Sequence, residues 1–313
     1  AKPVLLGPFT FLKLGKTATD NFDSLQLLDA ILPVYEEILA ELAKDATWIQ
    51  LDEPSLALDL TDEERRIFRN IYSRLPEIAS PAKMILTSYF GSMGENVDLP
   101  CESSAAAIHI DAVRAPEDLR MVTKRLQNEQ LLSLGIINGR NIWRVDAESA
   151  SNLIRFAVTE LGMDRLLLGT SCSLLHTPGD LDLERDLDPE IRSWLAFAKQ
   201  KCEELRMLAD IAEGKDVTDA LDANREAWRS RRSSARVINP KVRERMQSIN
   251  ESMTARNASY EKRKPIQQSI LKLPLLPTTT IGSFPQTAVV RKTRSQFKKG
   301  EIDTQEYEKT MYD

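Results

Sequence analysis

The chain has 313 residues, 42% apolar and 28% charged, which excludes wholesale disorder and suits one large domain or a domain with an appendage. A net charge of −5 gives no global case for nucleic acid or membrane binding, and no apolar run approaches the ~18 residues of a membrane span. The cysteines Cys101, Cys172 and Cys202 are odd in number and far apart, as expected of a soluble protein in a reducing, cytoplasmic compartment.

Val4 to Phe9 reads as a first strand buried on both faces, and the chain therefore opens inside an element. Asp23 and Ser24 cap a helix carrying Leu28, Ile31, Tyr35, Ile38 and Leu42, with a kink predicted at Pro33. TWIQLDE (47–53) is a second strand ending in acids. Thr61 to Glu64 is a capping box opening a helix that bears Ile67, Phe68, Ile71, Tyr72 and Leu75. Residues 83–90, 105–110, 132–137 and 165–169 supply strands three to six. Pro116 with Glu117 and Asp118 marks a helix start, and Gly162 closes the helix between the last two strands. Pro189 opens one long predicted helix with Trp194, Phe197, Leu205 and Leu208, ending near Gly214.

Alternating apolar strands and amphipathic helices predict a parallel sheet covered by helices. Doubly wound sheets and (β/α)₈ barrels both fit. No G-x-G-x-x-G follows the first strand, and polar residues cluster after several strands: Asp52-Glu53, Ser88-Tyr89, His109 to Asp111, Asn138 to Arg140 and Ser171-Cys172. Polar strand ends contributed by many strands favour a TIM-like (β/α)₈ barrel, N-terminally incomplete with six strands visible and two missing from the front.

Beyond Gly214 the character changes. Between Arg225 and Lys264 twelve Lys or Arg stand against four Glu, and Asn239-Pro240 opens a helix with a Val242, Met246, Ile249, Met253 stripe. A phosphate-binding patch and a solvated connector whose stripe packs on the barrel are the two readings; the basic residues are not interleaved with aromatics, which favours the connector. Leu273 to Thr287 then reads as a new apolar strand ending in Gly282-Ser283. The predicted organisation is a partial N-terminal barrel over 1–214, a helical connector over 215–273, and the start of a second, catalytic barrel over 274–313.

Among chemically capable residues, His109 and Asp111 lie two apart on a strand and converge on one side. With Cys172 they would offer nitrogen, oxygen and sulfur to zinc, although a lone buried His or Cys is more often structural. Asp52 and Glu53 read equally as an acid/base pair or as loop caps. A Cys172 nucleophile with His176 as base lacks a group to orient the base. Gly282-Ser283 would present backbone N–H groups and a hydroxyl to a carboxylate, as plain turns also do.

WIQLDEPSL (48–56), LSLGIINGRNIWR (132–144), LGTSCSLLH (168–176), WLAFAKQK (194–201) and LPTTTIGSFPQT (276–287) together resemble the cobalamin-independent methionine synthases, in the right order over most of the chain. That resemblance implies two (β/α)₈ barrels descended from a duplication. It implies that zinc on the second barrel activates the homocysteine thiol, which takes a methyl group from 5-methyltetrahydrofolate polyglutamate. It further implies that Ile281, Gly282 and Ser283 hold homocysteine's amino-acid end. Asp52, His109, Asp111 and Cys172 then form a degenerate copy of the site, with Asp111 where the family's second barrel has a zinc-binding Cys. The family's zinc ligands would lie beyond Asp313 and its folate-tail residues before Ala1, in missing parts of the same polypeptide. The chain alone is expected to bind no zinc and to transfer no methyl group; the alternative role is a scaffold that orients the catalytic domain and holds the folate tail.

Overall fold

β1 (Val4–Leu6) leads directly into α1 (Pro8–Leu14), because Pro8 suits the first helical position, where no N–H is needed. After a 3₁₀ turn capped by Asp23 come α2 (Leu28–Leu42), β2 (Trp48–Asp52), α3 (Asp62–Tyr72), α4 (Leu75–Ile78), β3 (Lys83–Thr87), α5 (Asp98–Glu102) and β4 (Ala107–Asp111). Then follow α6 (Glu117–Thr123), β5 (Leu131–Ile137), α7 (Ala147–Leu161), β6 (Leu166–Thr170), α8 (Pro189–Ser193), α9 (Ala198–Ala212) and α10 (Thr218–Ser233). This computed structural model describes residues 1–16, 18, 22–278 and 286–312. No helix among the described residues is long and apolar enough to cross a membrane.

The six strands form one parallel sheet in the order β1-β2-β3-β4-β5-β6. That order has no reversal, so it lacks the switch point of a doubly wound sheet. Side chains alternate across the sheet. Ile49, Leu51, Met84, Leu86, Ile108, Ile110, Leu132 and Leu134 pack into the main core with helix residues such as Phe68, Ile71, Leu119 and Ile154. The opposite face carries Gln50, Asp52, Thr87, His109, Asp111 and Ser133, with Asp52 level with Thr87, Thr87 with His109, and His109 with Ser133. A polar row thus crosses four neighbouring strands near their C-terminal ends.

Several local expectations change. The first strand stops at Leu6 and is not buried on both faces, since Val4 and Leu6 are 51% and 42% exposed on a strand with a single neighbour. The Thr61 capping box forms as its spacing predicts, with Thr61 Oγ1 accepting from the Glu64 N–H at 3.3 Å and Glu64 Oε2 from the Thr61 N–H at 2.9 Å. Helix α2 continues through Pro33, and its fully buried positions are Leu28, Leu32 and Leu39, with Ile38 exposed. The single helix expected from Pro189 is broken between Ser193 and Ala198. There the Arg144 N–H donates to the Trp194 carbonyl at 2.9 Å and the Ala196 N–H to the Ile142 carbonyl at 2.8 Å, so pairing with a distant loop replaces helical bonds.

A first compact unit spans Ala1–Asn239 and a second Pro240–Asp313. The second contains α11 (Pro240–Gln247), α12 (Glu251–Thr254), α13 (Tyr260–Leu271), α14 (Ala288–Lys298) and α15 (Thr304–Tyr312). Phe297 and Tyr307 stack at 4.4 Å between its last two helices. Among the described residues of the second unit, no neighbouring helix covers the Val242, Met246, Ile249 and Met253 side chains, each of which is exposed. Leu273 to Thr278 form no strand, and the remainder of that predicted strand lies outside the described residues.

Candidate functional site

The C-terminal ends of β2 to β6 gather most of the candidate residues. Asp52 ends β2 half-buried, accepting from Gln50 Nε2 at 2.6 Å and from the Tyr89 hydroxyl at 3.2 Å. Burial raises its pKa, opposed by those two hydrogen bonds and by Lys2. Glu53 is adjacent and therefore faces the other way. Fully buried, it accepts from the Phe9 N–H (3.2 Å), the Thr10 N–H (2.7 Å) and the Tyr72 hydroxyl. Burial lifts its pKa to about 7 against those bonds. The two acids are therefore no catalytic pair: one lies at the strand-end face, and the other fastens the start of α1 to the sheet.

His109 is buried on β4, its Nδ1 2.9 Å from Ser133 Oγ on β5. Burial lowers its pKa to about 4, with a hydrogen bond to the Ser171 backbone working in the opposite direction. The ring fits because β5 and β6 carry glycines beside it. A Cβ on Gly135 would lie 2.9 Å from His109 Nε2, and one on Gly169 3.5 Å from Cε1. His109 is thus a neutral histidine joining β4, β5 and the end of β6.

Asp111 caps the loop after β4. Its Oδ1 accepts from the Val113 and Arg114 N–H groups at 3.1 and 3.0 Å, and its Oδ2 from the Phe90 N–H at 3.1 Å. Phe90 has φ 77°, a left-handed conformation costing a bulky residue roughly 1–3 kcal/mol. The Asp111 bond holds it there. Asp111→Ala is expected to lower unfolding free energy by about 2 kcal/mol and to speed hydrogen exchange at the Phe90 amide, read by urea titration and by exchange mass spectrometry. Unchanged exchange would remove the assigned role.

Cys172 is buried after β6; burial raises its pKa, and its Sγ hydrogen bond goes to the Ser173 carbonyl at 3.8 Å. His176 stands instead edge-on to Phe90 at 6.0 Å between ring centres. No nucleophile and base pair is assembled by these contacts. The zinc idea meets the same obstacle. Both sides of the His109 ring are engaged, and the Asp111 oxygens face backbone donors. Among the described residues no group of three His, Cys, Asp or Glu is placed to hold a metal ion. The residues present do not fit a zinc site. Ile281, Gly282 and Ser283 lie outside the described residues.

The loop from Asn138 to Asp146 has anchors that sequence reading missed. The Val145 N–H donates to both Glu204 oxygens at 3.1 and 3.2 Å, while the Val145 carbonyl accepts from Asn224 Nδ2 at 3.0 Å and Trp228 Nε1 at 2.8 Å. Lys201, almost fully buried, donates to Asn141 Oδ1 and to the Trp143 carbonyl. No short motif marks these partners, which sit about 60 to 80 positions downstream.

Residues 1–161 match the family model described as cobalamin-independent synthase, N-terminal domain, and residues 276–313 match that of its catalytic domain. The chain belongs to the cobalamin-independent methionine synthase family. It is 49% identical over 310 residues to a 5-methyltetrahydropteroyltriglutamate–homocysteine methyltransferase of Caulobacter vibrioides, covering 98% of this chain and 40% of that protein. A protein of the same name from Syntrophotalea carbinolica is 47% identical over 311 residues, covering 99% and 41%. The chain thus spans about two-fifths of the length of these methyltransferases. In fold it resembles a B12-independent methionine synthase from Shewanella sp. W3-18-1 solved in complex with selenomethionine, with TM-score 0.51 and 17% identity over 67% of this chain and 61% of that one.

Proposed function

We propose that this chain acts as part of a longer methyltransferase that moves a methyl group from 5-methyltetrahydrofolate polyglutamate to the thiolate of zinc-bound homocysteine, giving methionine. The observation carrying this reading is the identity of 49% to a protein of that named activity, running through both family models in order. In this reading the six parallel strands belong to a (β/α)₈ barrel completed by other parts of the polypeptide, consistent with the exposed side chains of β1 and the half-buried ones of β6. Residues 215–273 serve as the helical connector and 274–313 open the catalytic barrel, where Ile281, Gly282 and Ser283 bind homocysteine's amino-acid end. Zinc belongs to that catalytic barrel, with ligands outside this chain, and the setting is cytoplasmic.

The role of the first unit is then a scaffold. Two features favour this: His109 and Asp111 are committed to hydrogen bonds within the protein, and Glu53 fastens a helix to the sheet. The purified chain, given zinc, homocysteine and the triglutamyl methylfolate, is expected to form no methionine above the protein-free rate by mass spectrometry. Turnover by this chain alone would sink the proposal. Calorimetric titration with triglutamyl folate separates a plain scaffold, which gives no heat, from one that holds the folate tail.

A further inference from the structure

The strand-end rim carries charge that the methyltransferase reading leaves unused. Arg140 lays its guanidinium 4.6 Å over the ring of Phe90, and the rings of Tyr89 and His176 stand 4.5 and 6.0 Å from Phe90. Neither Arg140 nor Arg114 has an ion-pair partner among the described residues, whereas Arg232 and Arg236 pair with Asp146 and Asp188. The Arg114 and Phe90 N–H groups donate to the two oxygens of one carboxylate, Asp111, at 3.0 and 3.1 Å, which brings Arg114 beside the residue whose ring lies under Arg140. The Asp111 oxygens accept three backbone N–H groups in all.

A guanidinium that rests its face on an aromatic ring keeps its in-plane N–H edge free, and that planar fork matches a carboxylate or phosphate. Two further observations concern the segment that carries Phe90. Phe90 is held at a left-handed φ of 77°, so its ring is presented at the cost of backbone strain. Just before it, the hydroxyls of Thr87 and Ser88, both on residues 3% exposed, have no hydrogen-bond partner.

We propose that Arg140 and Arg114, with Phe90 as the ring beneath Arg140, form an oxyanion-binding site at the strand-end rim that takes a carboxylate or phosphate group of a small ligand. The site is independent of the methyl-transfer reading, which assigns nothing to these three residues.

The test is calorimetric titration of the 313-residue chain at low ionic strength with glutarate and, separately, inorganic phosphate. Saturable binding of at least one probe is expected, and the tighter one tells carboxylate from phosphate. Arg140→Lys keeps the charge but loses the fork, and should weaken binding about tenfold; Arg114→Lys provides an independent second variant. Arg231→Lys, whose guanidinium lies 3.7 Å over Trp143, should leave binding unchanged. The proposal fails if neither probe saturates, if both rim variants bind as the parent does, or if Arg231→Lys weakens binding equally, which would mark general attraction to basic surface.

Discussion

Glu53→Ala is expected to lower the unfolding free energy by about 4 kcal/mol, read from the urea midpoint at constant slope. The substitution removes a fully buried carboxyl, which by itself relieves a desolvation cost. What it leaves behind outweighs that relief: the Phe9 and Thr10 N–H groups and the Tyr72 hydroxyl lose their acceptor together in a dry site. Tyr72→Phe, which removes one of these donors, should cost only about 1 kcal/mol. The pH dependence gives a second readout. Because the folded-state pKa of Glu53 is raised from 4.5 to about 7, its contribution is fully present below pH 4.5 and is lost as pH rises through about 7. Roughly 3 kcal/mol is involved across that window. Glu53→Gln keeps an acceptor and should flatten that part of the profile; an unchanged slope between pH 5 and 7 would show that another group carries it.

Gly135→Ala should be nearly as damaging, at about 3 kcal/mol, the upper end for overpacking. A Cβ there would sit 2.6 Å from the Ile110 carbonyl oxygen and 2.9 Å from both Ser171 Cα and His109 Nε2. The first two are backbone atoms of neighbouring strand ends and cannot swing aside as a side-chain tip can. Gly179→Ala, where no atom lies within 4 Å of the added methyl, is the matched control and should unfold as the parent does. If Gly135→Ala proves as stable as that control, the close packing of β4, β5 and β6 around His109 is wrong.

The sheet and its polar strand ends were legible because both depend on local pattern. Apolar runs of five to seven residues separated by amphipathic segments define β2 to β6, and the acids and hydroxyls after them can be read directly. Boundaries were less legible at β1, where Gly7-Pro8 looks like the end of a strand but begins a helix. What the side chains do was mostly hidden, because their partners come from other strands. Nothing near His109 announces Ser133 and Ser171, and nothing near Glu53 announces Phe9 and Thr10. Phe90 was hidden for a different reason: left-handed backbone is expected at glycine, and Gly91 stands next door. The break between Ser193 and Ala198 was unreadable because the competing hydrogen bonds come from Ile142 and Arg144, some fifty positions upstream.

The grip on Val145 has a mechanical side. Its peptide groups are held from α9 by Glu204 and from α10 by Asn224 and Trp228, so the loop that carries Arg140 is anchored to helices formed much later in the chain. During synthesis this loop leaves the ribosome well before its anchors, and it cannot take its final shape until α10 has emerged. A nascent chain stalled before Thr218 would therefore hold all six of these strands with an unfinished rim.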